Sequence, residues 1–288
     1  MTAVAEASIK AAILVEALPY IRSYRGRTVV VKIGGAALDD RRLSRLVADD
    51  LALLALVGIR LVVVHGGGPQ VSAAMTRLGL SPSFVDGLRV TDEASMDVVR
   101  EVLVGSINPD LVTRLTRSGL KAVGLNGSDG GLVEAIRAVG PDGRDLGRVG
   151  EVEVVRPEII DSLLAGGYTP VVASVAVDGD GAPLNVNADS VAGAVARVLG
   201  AAKLVYLTNV EGLYGDLGDQ GSLISELKAD ELEAMLPSLS EGMRPKASSA
   251  VAALRGGVEK VHILDGRVEH ALLLEVFTEE GVGTQVLP

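Results

Sequence analysis

The sequence predicts an α/β fold in which helices cover both faces of a mainly parallel sheet. Two observations support this prediction. Short β-branched runs, typical of buried strands, alternate along the chain with segments whose apolar residues recur at helical spacing. The runs are almost continuously apolar, as expected of strands that are covered on both faces. The predicted strands span residues 28–33, 61–64, 121–125, 169–177, 204–208 and 260–264.

The predicted helices lie between most of these strands. Residues 148–155 instead alternate apolar and polar side chains among turns, which indicates part of a hairpin. Near the amino terminus, Ile13, Leu14 and Ile21 belong to one apolar helical stripe, and we expect Pro19 to bend or break that helix near its end. The other helices are predicted at residues 43–57, 69–78, 93–104, 109–117, 188–199 and 246–254.

Composition limits the possible functions. The chain has 288 residues, 48% of them hydrophobic, enough for one large domain or for two lobes that share a sheet. It has no cysteine, only 2% aromatic residues and a formal charge of −10, which disfavours a disulfide framework, a nucleic-acid partner and an anionic membrane surface. We therefore expect a cytoplasmic protein in which small anionic ligands are bound by locally placed cations.

Glycine-rich turns follow four of the predicted strands. They are KIGGAAL at 32–38, HGGGPQ at 65–70, GLNGSDGG at 124–131 and LTNVEGLYG at 207–215. Ligands of open parallel sheets bind beyond the carboxyl ends of the strands, where glycine lets backbone N–H groups approach an anion. Phosphate binding would explain the pattern, yet the P-loop, Rossmann, protein-kinase, zinc-protease and nucleophile-elbow motifs are all missing.

Four charged residues lie in suggestive positions near these turns. Lys32 ends an apolar strand, Arg89 follows a turn, Lys246 begins a helix, and Asp189 opens a helix close to Asn185. Each also has a purely structural interpretation: a snorkelling lysine, a surface ion pair, a helix-terminal cation, and a helix N-cap. The residues alone leave both interpretations open.

Over nearly its full length the chain resembles the N-acetylglutamate kinases of the amino acid kinase superfamily. The resemblance is most specific in VVVKIGGAAL, VVVHGGGPQV, VDGLRVTDEASMDVV, LNVNADSVAGAVA and EGMRPKASSAVAALRGGV. It implies a three-layer αβα sandwich with a central, mostly parallel eight-stranded sheet. It further implies an amino-terminal helical extension at residues 1–25, an acyl-amino-acid-binding and dimerisation lobe at 26–170, and an ATP-binding lobe at 171–288.

The resemblance also implies a reaction. The γ-phosphoryl group of ATP, with Mg²⁺ bridging the nucleotide oxygens, would pass to the side-chain carboxylate of N-acetyl-L-glutamate as a step of arginine biosynthesis. No protein metal site is implied. The implied roles are catalysis for Lys32, Lys246 and Asp189, substrate binding for Gly67, Gly68, Arg89 and Asn185, and ATP binding for Gly34, Gly35, Thr208, Asn209, Gly212 and Leu213.

The ending HALLLEVFTEEGVGT, together with the amino-terminal helix, resembles family members that arginine inhibits. This implies an arginine site near Tyr20, His270 and Glu280. It also implies dimers that the amino-terminal helix joins into a hexamer, a trimer of dimers. A nitrogen-signalling protein is a further possible partner.

Two alternatives stay open. Family members commonly carry an acidic residue where this chain has Ser248 or Ser249, which leaves room for a paralogous kinase of a related acyl or carrier-linked amino acid. The other alternative is a catalytically silent sensor that binds arginine. The retained Lys32, Asp189 and Lys246 count against a sensor.

Overall fold

The structure is a computed structural model that describes residues 11–12, 15–216, 219–278 and 282–288. Its strands, in chain order, are β1 (Thr28–Ile33), β2 (Arg60–His65), β3 (Phe84–Val85), β4 (Leu88–Arg89), β5 (Ala122–Leu125), β6 (Val133–Val139), β7 (Asp145–Val155), β8 (Thr169–Ala173), β9 (Val175–Val177), β10 (Pro183–Val186), β11 (Lys203–Thr208), β12 (Leu213–Tyr214), β13 (Leu223–Ile224), β14 (Glu226–Lys228), β15 (Val261–Asp265) and β16 (Thr284–Leu287).

The helices are α1 (Leu18–Tyr24), α2 (Ala36–Asp39), α3 (Arg41–Leu56), α4 (Gly68–Arg77), α5 (Glu93–Val102), α6 (Asn108–Arg117), α7 (Glu158–Ala165), α8 (Ala188–Val198), α9 (Ala229–Met235), α10 (Arg244–Arg255) and α11 (Ala271–Phe277). One π-helical turn, Leu103–Ile107, joins α5 to α6. Among the described residues, no helix combines the length and apolar character needed to cross a membrane.

The central sheet has eight strands in the order β14-β16-β15-β11-β1-β2-β8-β5. Every neighbouring pair is parallel except β15 and β16. The predicted fold class is therefore confirmed. β1 lies near the middle of the sheet, so the turns that follow β1, β2 and β11 meet at one edge.

Helices cover the sheet on both faces, as the alternation of side chains along β1 shows. Val30 packs in a core with α8 and α10, whereas Val29 and Val31 pack in a second core with α3, α6 and α11. All three valines are at most 1% exposed, which explains why the strand is apolar throughout. The result is a three-layer arrangement with the sheet in the middle.

A smaller four-stranded sheet, β10-β7-β6-β9, closes on itself beside the central sheet. Its antiparallel pair β6 and β7 confirms the hairpin expected at residues 148–155. The prediction of one strand over residues 169–177 was wrong. β8 joins the central sheet, whereas β9 pairs with β6 and β10. Both strands are buried, so their composition gives no sign of the change of sheet at Ser174.

Strand pairing also bears on the division between the lobes. A boundary between residues 170 and 171 falls inside β8, which pairs with β2 and β5. β10 still pairs with β7 and β9, and α8 is the next element. The division into lobes stays a prediction from the sequence.

The break expected at Pro19 is present. Residues 15–16 are helical, Ala17 forms a turn, and α1 begins at Leu18, so Pro19 lies in the first turn of the helix that follows the break. The missing N–H of proline costs no helical hydrogen bond in a first turn. Ile13 and Leu14 of the predicted stripe lie outside the described residues.

Candidate active site

A cavity of about 280 Å³ lies beyond the carboxyl ends of β1 and β2. It brings together residues that are more than 150 positions apart in the sequence. The predicted site residues that line it are Lys32, Gly34, Gly35, Gly67, Gly68, Arg89, Asn185 and Asp189.

Asp189 links two lysines from different elements at the wall of this cavity. Its Oδ1 lies 2.8 Å from Nζ of Lys32, the fifth residue of β1. Its Oδ2 accepts a hydrogen bond of 2.9 Å from Nζ of Lys246, in the first turn of α10. Asp189 is not the N-cap of α8: the side chain of Asn187 accepts the N–H groups of Asp189 and Ser190 in that role. The Asp189 carboxylate is thus left for the lysines.

Charge balance keeps this cluster ionised. Burial alone would raise the pKa of Asp189, but the ammonium groups of Lys32 and Lys246 outweigh burial and hold that pKa well below its usual range. Burial lowers the pKa of Lys246, and Asp189 opposes that shift. One carboxylate therefore faces two ammonium groups, and the excess positive charge lies at the cavity, which Lys32 lines with a side chain that is 13% exposed.

Arg89 is a second source of positive charge in the cavity. It is 7% exposed and donates to the Gly68 carbonyl at 2.9 Å and to Ser72 Oγ at 2.8 Å. Its guanidinium carbon also lies 4.7 Å from the centre of the Phe84 ring. These partners are all neutral, and within the described ranges no carboxylate forms an ion pair with Arg89. Since a buried charge without a counter-ion is costly, Arg89 is prepared for an anionic ligand.

The triple-glycine turn is held by a neutral histidine. His65 is fully buried, and burial lowers its pKa to about 4, so the ring is uncharged at pH 7. Its Nε2 lies 3.0 Å from Asn108 Nδ2, which donates, so Nδ1–H is left to donate to the Gly66 carbonyl at 3.0 Å. A Cβ at Gly67 would lie 2.2 Å from Ile107 Cδ1 in the π-helical turn, so a larger residue there would force the Ile107 side chain to move.

Asn185 is tied to the arginine through Thr91. Asn185 Nδ2 donates to Thr91 Oγ1 at 3.1 Å, and Thr91 Oγ1 donates to the Arg89 carbonyl at 2.6 Å. Neither Thr91 nor Asn108 stood out in the sequence, because a polar residue at a turn or helix start gives no distinguishing signal. Both become functional candidates only through their contacts.

The predicted ATP-binding loop follows β11 at the same sheet edge. The Asn209 side chain lies directly against Gly35 of the KIGG turn. Gly212 and Leu213 are buried, and the Leu213 N–H donates to Thr284 Oγ1 at 2.8 Å. The loop is therefore next to the β1 turn, but the Leu213 side chain packs in the core and does not face the cavity.

The predicted effector residues are not all brought together. Tyr20 lines a separate cavity of about 430 Å³ with Lys203, His262 and Glu275, which sequence reasoning missed. Glu275 Oε1 lies 3.1 Å from Lys203 Nζ and 2.5 Å from His262 Nδ1. The structure places His270 elsewhere, with Nδ1 2.6 Å from Asp50 Oδ1 on α3. Glu280 lies outside the described residues.

Comparison with known proteins defines the class. Residues 27–265 match the model of the amino acid kinase family. The chain belongs to this family. An acetylglutamate kinase of Symbiobacterium thermophilum is 50% identical, covering 96% of this chain and 97% of the relative. An acetylglutamate kinase of Acidothermus cellulolyticus is 53% identical, covering 97% of each. The chain is accordingly a kinase that phosphorylates N-acetylglutamate in arginine biosynthesis.

A solved structure extends the likeness. The N-acetylglutamate synthase of Neisseria gonorrhoeae, complexed with coenzyme A and N-acetyl-glutamate, is 33% identical with a TM-score of 0.86 over 96% of this chain. The same synthase complexed with coenzyme A and L-arginine has a TM-score of 0.83 at 31% identity. This chain spans 63% and 65% of those two longer chains.

The resemblance predicts that the Lys32 charge stabilises the transferring phosphoryl group, so replacing Lys32 with alanine should lower kcat about 10²-fold or more. The rate is measured by trapping acyl phosphate with hydroxylamine in the presence of ATP and N-acetylglutamate. The exposed Lys121 provides the matched control, Lys121→Ala, which should keep the wild-type rate. A near-normal kcat for Lys32→Ala would refute the catalytic role.

Proposed function

We propose that the chain transfers the γ-phosphoryl group of ATP to the side-chain carboxylate of N-acetyl-L-glutamate, giving N-acetyl-L-glutamyl 5-phosphate, through the residues of the 280 Å³ cavity. The observation that supports this most directly is the Lys32–Asp189–Lys246 cluster on the wall that also holds Arg89. Two anionic reactants must meet in this reaction, and the cavity concentrates positive charge in a chain whose formal charge is −10.

The nucleophile requires no general base. A side-chain carboxylate with a pKa near ~4.3 is already ionised at neutral pH. The barrier instead comes from repulsion between that carboxylate and the phosphate oxygens, so catalysis consists of positioning and of neutralising charge. Lys32 would stabilise the transferring group from the cavity, and Lys246 from the nucleotide side. Asp189 would hold both ammonium groups in place.

Arg89 would bind the α-carboxylate of the substrate, and Asn185 would contact the region of its acetamido group. The backbone at Gly67 and Gly68 would close around the rest of the molecule. The first turn of α4 supports this placement, since it begins at Gly68 without a side-chain cap, so its N–H groups are open to a ligand. The KIGG turn and the Thr208–Leu213 segment would border ATP.

ATP would bring Mg²⁺ with it. The only carboxylate that lines the cavity, within the described residues, is Asp189, and both of its oxygens are taken by lysines. The donor set therefore fits an ion held by phosphate oxygens and water, as Mg²⁺ commonly is. Bound there, Mg²⁺ would neutralise part of the charge of the phosphates.

Neither alternative is favoured. A catalytically silent sensor would have no need of two lysines held at one carboxylate, since that arrangement costs desolvation energy. A paralogue for another acyl amino acid is disfavoured because the relatives at 50% and 53% identity over nearly the whole chain are acetylglutamate kinases.

We infer that arginine binds in the second cavity, of about 430 Å³, which contains Tyr20 and Glu275. The complex of the Neisseria gonorrhoeae synthase with L-arginine supports a ligand of this kind. Glu275 is paired with Lys203 and His262, but the exposed Glu226 also lines this cavity, and a carboxylate together with Tyr20 suits a cationic ligand. The hexameric assembly, the nitrogen-signalling partner and a cytoplasmic location stay predictions from the sequence.

The proposed function is tested with a substrate panel. Hydroxamate formation is measured with ATP, Mg²⁺ and, in turn, N-acetylglutamate, N-acetylaspartate, glutamate and N-acetyl-2-aminoadipate. We expect N-acetylglutamate to give the highest kcat/KM. Turnover only with another acyl amino acid would establish the paralogue, and arginine binding without any turnover would establish the sensor.

Arg89→Lys should raise KM for N-acetylglutamate about tenfold or more, because lysine keeps the charge but loses the planar fork that pairs with a carboxylate. KM for ATP should stay within about twofold. The exposed Arg77 on α4 offers the matched control, Arg77→Lys, with both constants unchanged. A larger change in KM for ATP than for N-acetylglutamate would contradict the assignment of Arg89.

Deleting residues 1–25 should reduce the mass in light scattering from a hexamer to a dimer, because the amino-terminal helix is proposed to join dimers. The same deletion removes Tyr20 from the second cavity, so arginine inhibition should weaken. Tyr20→Ala separates the two effects, since it should weaken inhibition without changing the mass. An unchanged oligomer after the deletion would refute the role of the helix in assembly.

A further inference from the structure

Tyr206 is a buried polar residue that the mechanism above does not use. It is the fourth residue of β11, is fully buried, and pairs in register with Lys32 on β1. Neighbouring residues in register point to the same face of a sheet, so the phenol and the Lys32 side chain leave the sheet together. Tyr206 thus lies beneath the cluster of Asp189 and its two lysines.

Two hydroxyl groups connect Tyr206 to Asp189. The Tyr206 hydroxyl donates to Ser249 Oγ at 2.8 Å. Ser249 Oγ in turn donates to the backbone carbonyl of Asp189 at 2.7 Å. All three residues are buried, so this chain of hydrogen bonds is shielded from water, and each bond is stronger than it would be at the surface. The carbonyl belongs to the residue whose carboxylate holds both lysines.

The ring of Tyr206 faces the second lysine. Lys246 Nζ lies 5.0 Å from the ring centre, within the range of a cation–π interaction. The same ammonium group donates to the Asp189 carboxylate, so it lies between a carboxylate and an aromatic face. Burial raises the pKa of the Tyr206 hydroxyl, which therefore stays protonated and able to donate.

The approach of the two helices is adapted to this contact. A Cβ at Gly193 on α8 would lie 2.2 Å from Ser249 Oγ on α10. Glycine at this position is what allows α10 to come close enough for Ser249 to reach the Asp189 carbonyl, one helical turn before Gly193. The serine contact is therefore built into the helix packing.

We propose that Tyr206 and Ser249 are positioning residues for phosphoryl transfer: their hydroxyl groups fix the backbone of Asp189, and the Tyr206 ring fixes the ammonium group of Lys246. For its kinetic consequence this inference rests on the proposed function. Neither residue touches the cavity that we assign to the reactants. They act through Asp189 and Lys246, whose placement decides how well charge is neutralised in the transition state.

The kinetic test compares Tyr206→Phe and Ser249→Ala with the double variant. Each single change should lower kcat about three- to tenfold, the worth of one hydrogen bond, and leave KM for ATP and N-acetylglutamate within about twofold. The double variant should lose less than the product of the two single losses, because both hydroxyls belong to one chain. Tyr168→Phe, which removes a half-exposed tyrosine hydroxyl, should keep the wild-type kcat.

A second measurement needs no turnover. The Lys246 ammonium is followed by NMR of the full chain labelled with ¹⁵N-lysine, with Lys246→Arg used for assignment. In Tyr206→Leu, which lacks the ring, its titration midpoint should move to lower pH. In the isosteric Tyr206→Phe, which keeps the ring, the midpoint should stay in place. A merely structural role of Tyr206 would not separate these two variants.

Wild-type kcat in both Tyr206→Phe and Ser249→Ala would overturn the role of the hydroxyls. A Lys246 midpoint that is the same in wild type and Tyr206→Leu would overturn the role of the ring. If the wild-type chain does not phosphorylate N-acetylglutamate, the proposed function is refuted. The NMR comparison still tests, without turnover, whether the Tyr206 ring positions the Lys246 ammonium group. If Tyr206→Leu does not fold, the ring is tested in Tyr206→Met, with the same two outcomes.

Discussion

The bridge that Asp189 makes between Lys32 and Lys246 is the constraint on which the rest of the site depends. The side chains of the three residues are at most 13% exposed, so each charge would be costly without its partners. They come from a central strand, from the start of α8 and from the start of α10. The site therefore requires two features of the fold: the order of the central strands and the close packing of α8 against α10. Removing the carboxylate would leave two buried ammonium groups facing each other.

The charge at this site is opposite in sign to the net charge of the whole chain. The protein as a whole is acidic, yet the cavity contains the uncompensated Arg89 and the excess charge of the lysine pair. In a partly enclosed space of low dielectric, these fixed cations attract anions more strongly than the same residues would on the surface. Net acidity elsewhere does not weaken this effect much, because salt screens exposed charges beyond about 10 Å. Under the proposed function, these cations would draw two anionic reactants to one place and offset the repulsion between them.

Part of this arrangement could be predicted from the sequence, for physical reasons. A lysine that ends an apolar strand before two glycines needs an anion or solvent, and Lys32 has an anion, Asp189. The buried strands were visible because both of their faces are apolar. The pairing of Asp189 with Lys246 was not visible, since it depends on how two helices 57 residues apart are packed. The change of sheet after β8 gave no signal because the strands on both sides of it are buried. The contact of His270 with Asp50 was not visible either, since the two residues are 220 positions apart.

The groups that support the cavity are, with few exceptions, neutral. His65 is uncharged because it is buried, and Asn108, Asn187 and Ser249 offer only neutral donors or acceptors. Arg89 is likewise held by a carbonyl and a hydroxyl. A charged support would alter the balance between one carboxylate and two ammonium groups, or would neutralise the arginine before a substrate could. Hydrogen bonds from neutral groups fix the geometry without neutralising the cations. The positive potential in the cavity therefore stays available to anionic ligands. Tyr206 fits the same rule: burial keeps its hydroxyl protonated, so a rigid donor lies beside Lys246 without adding a second negative charge.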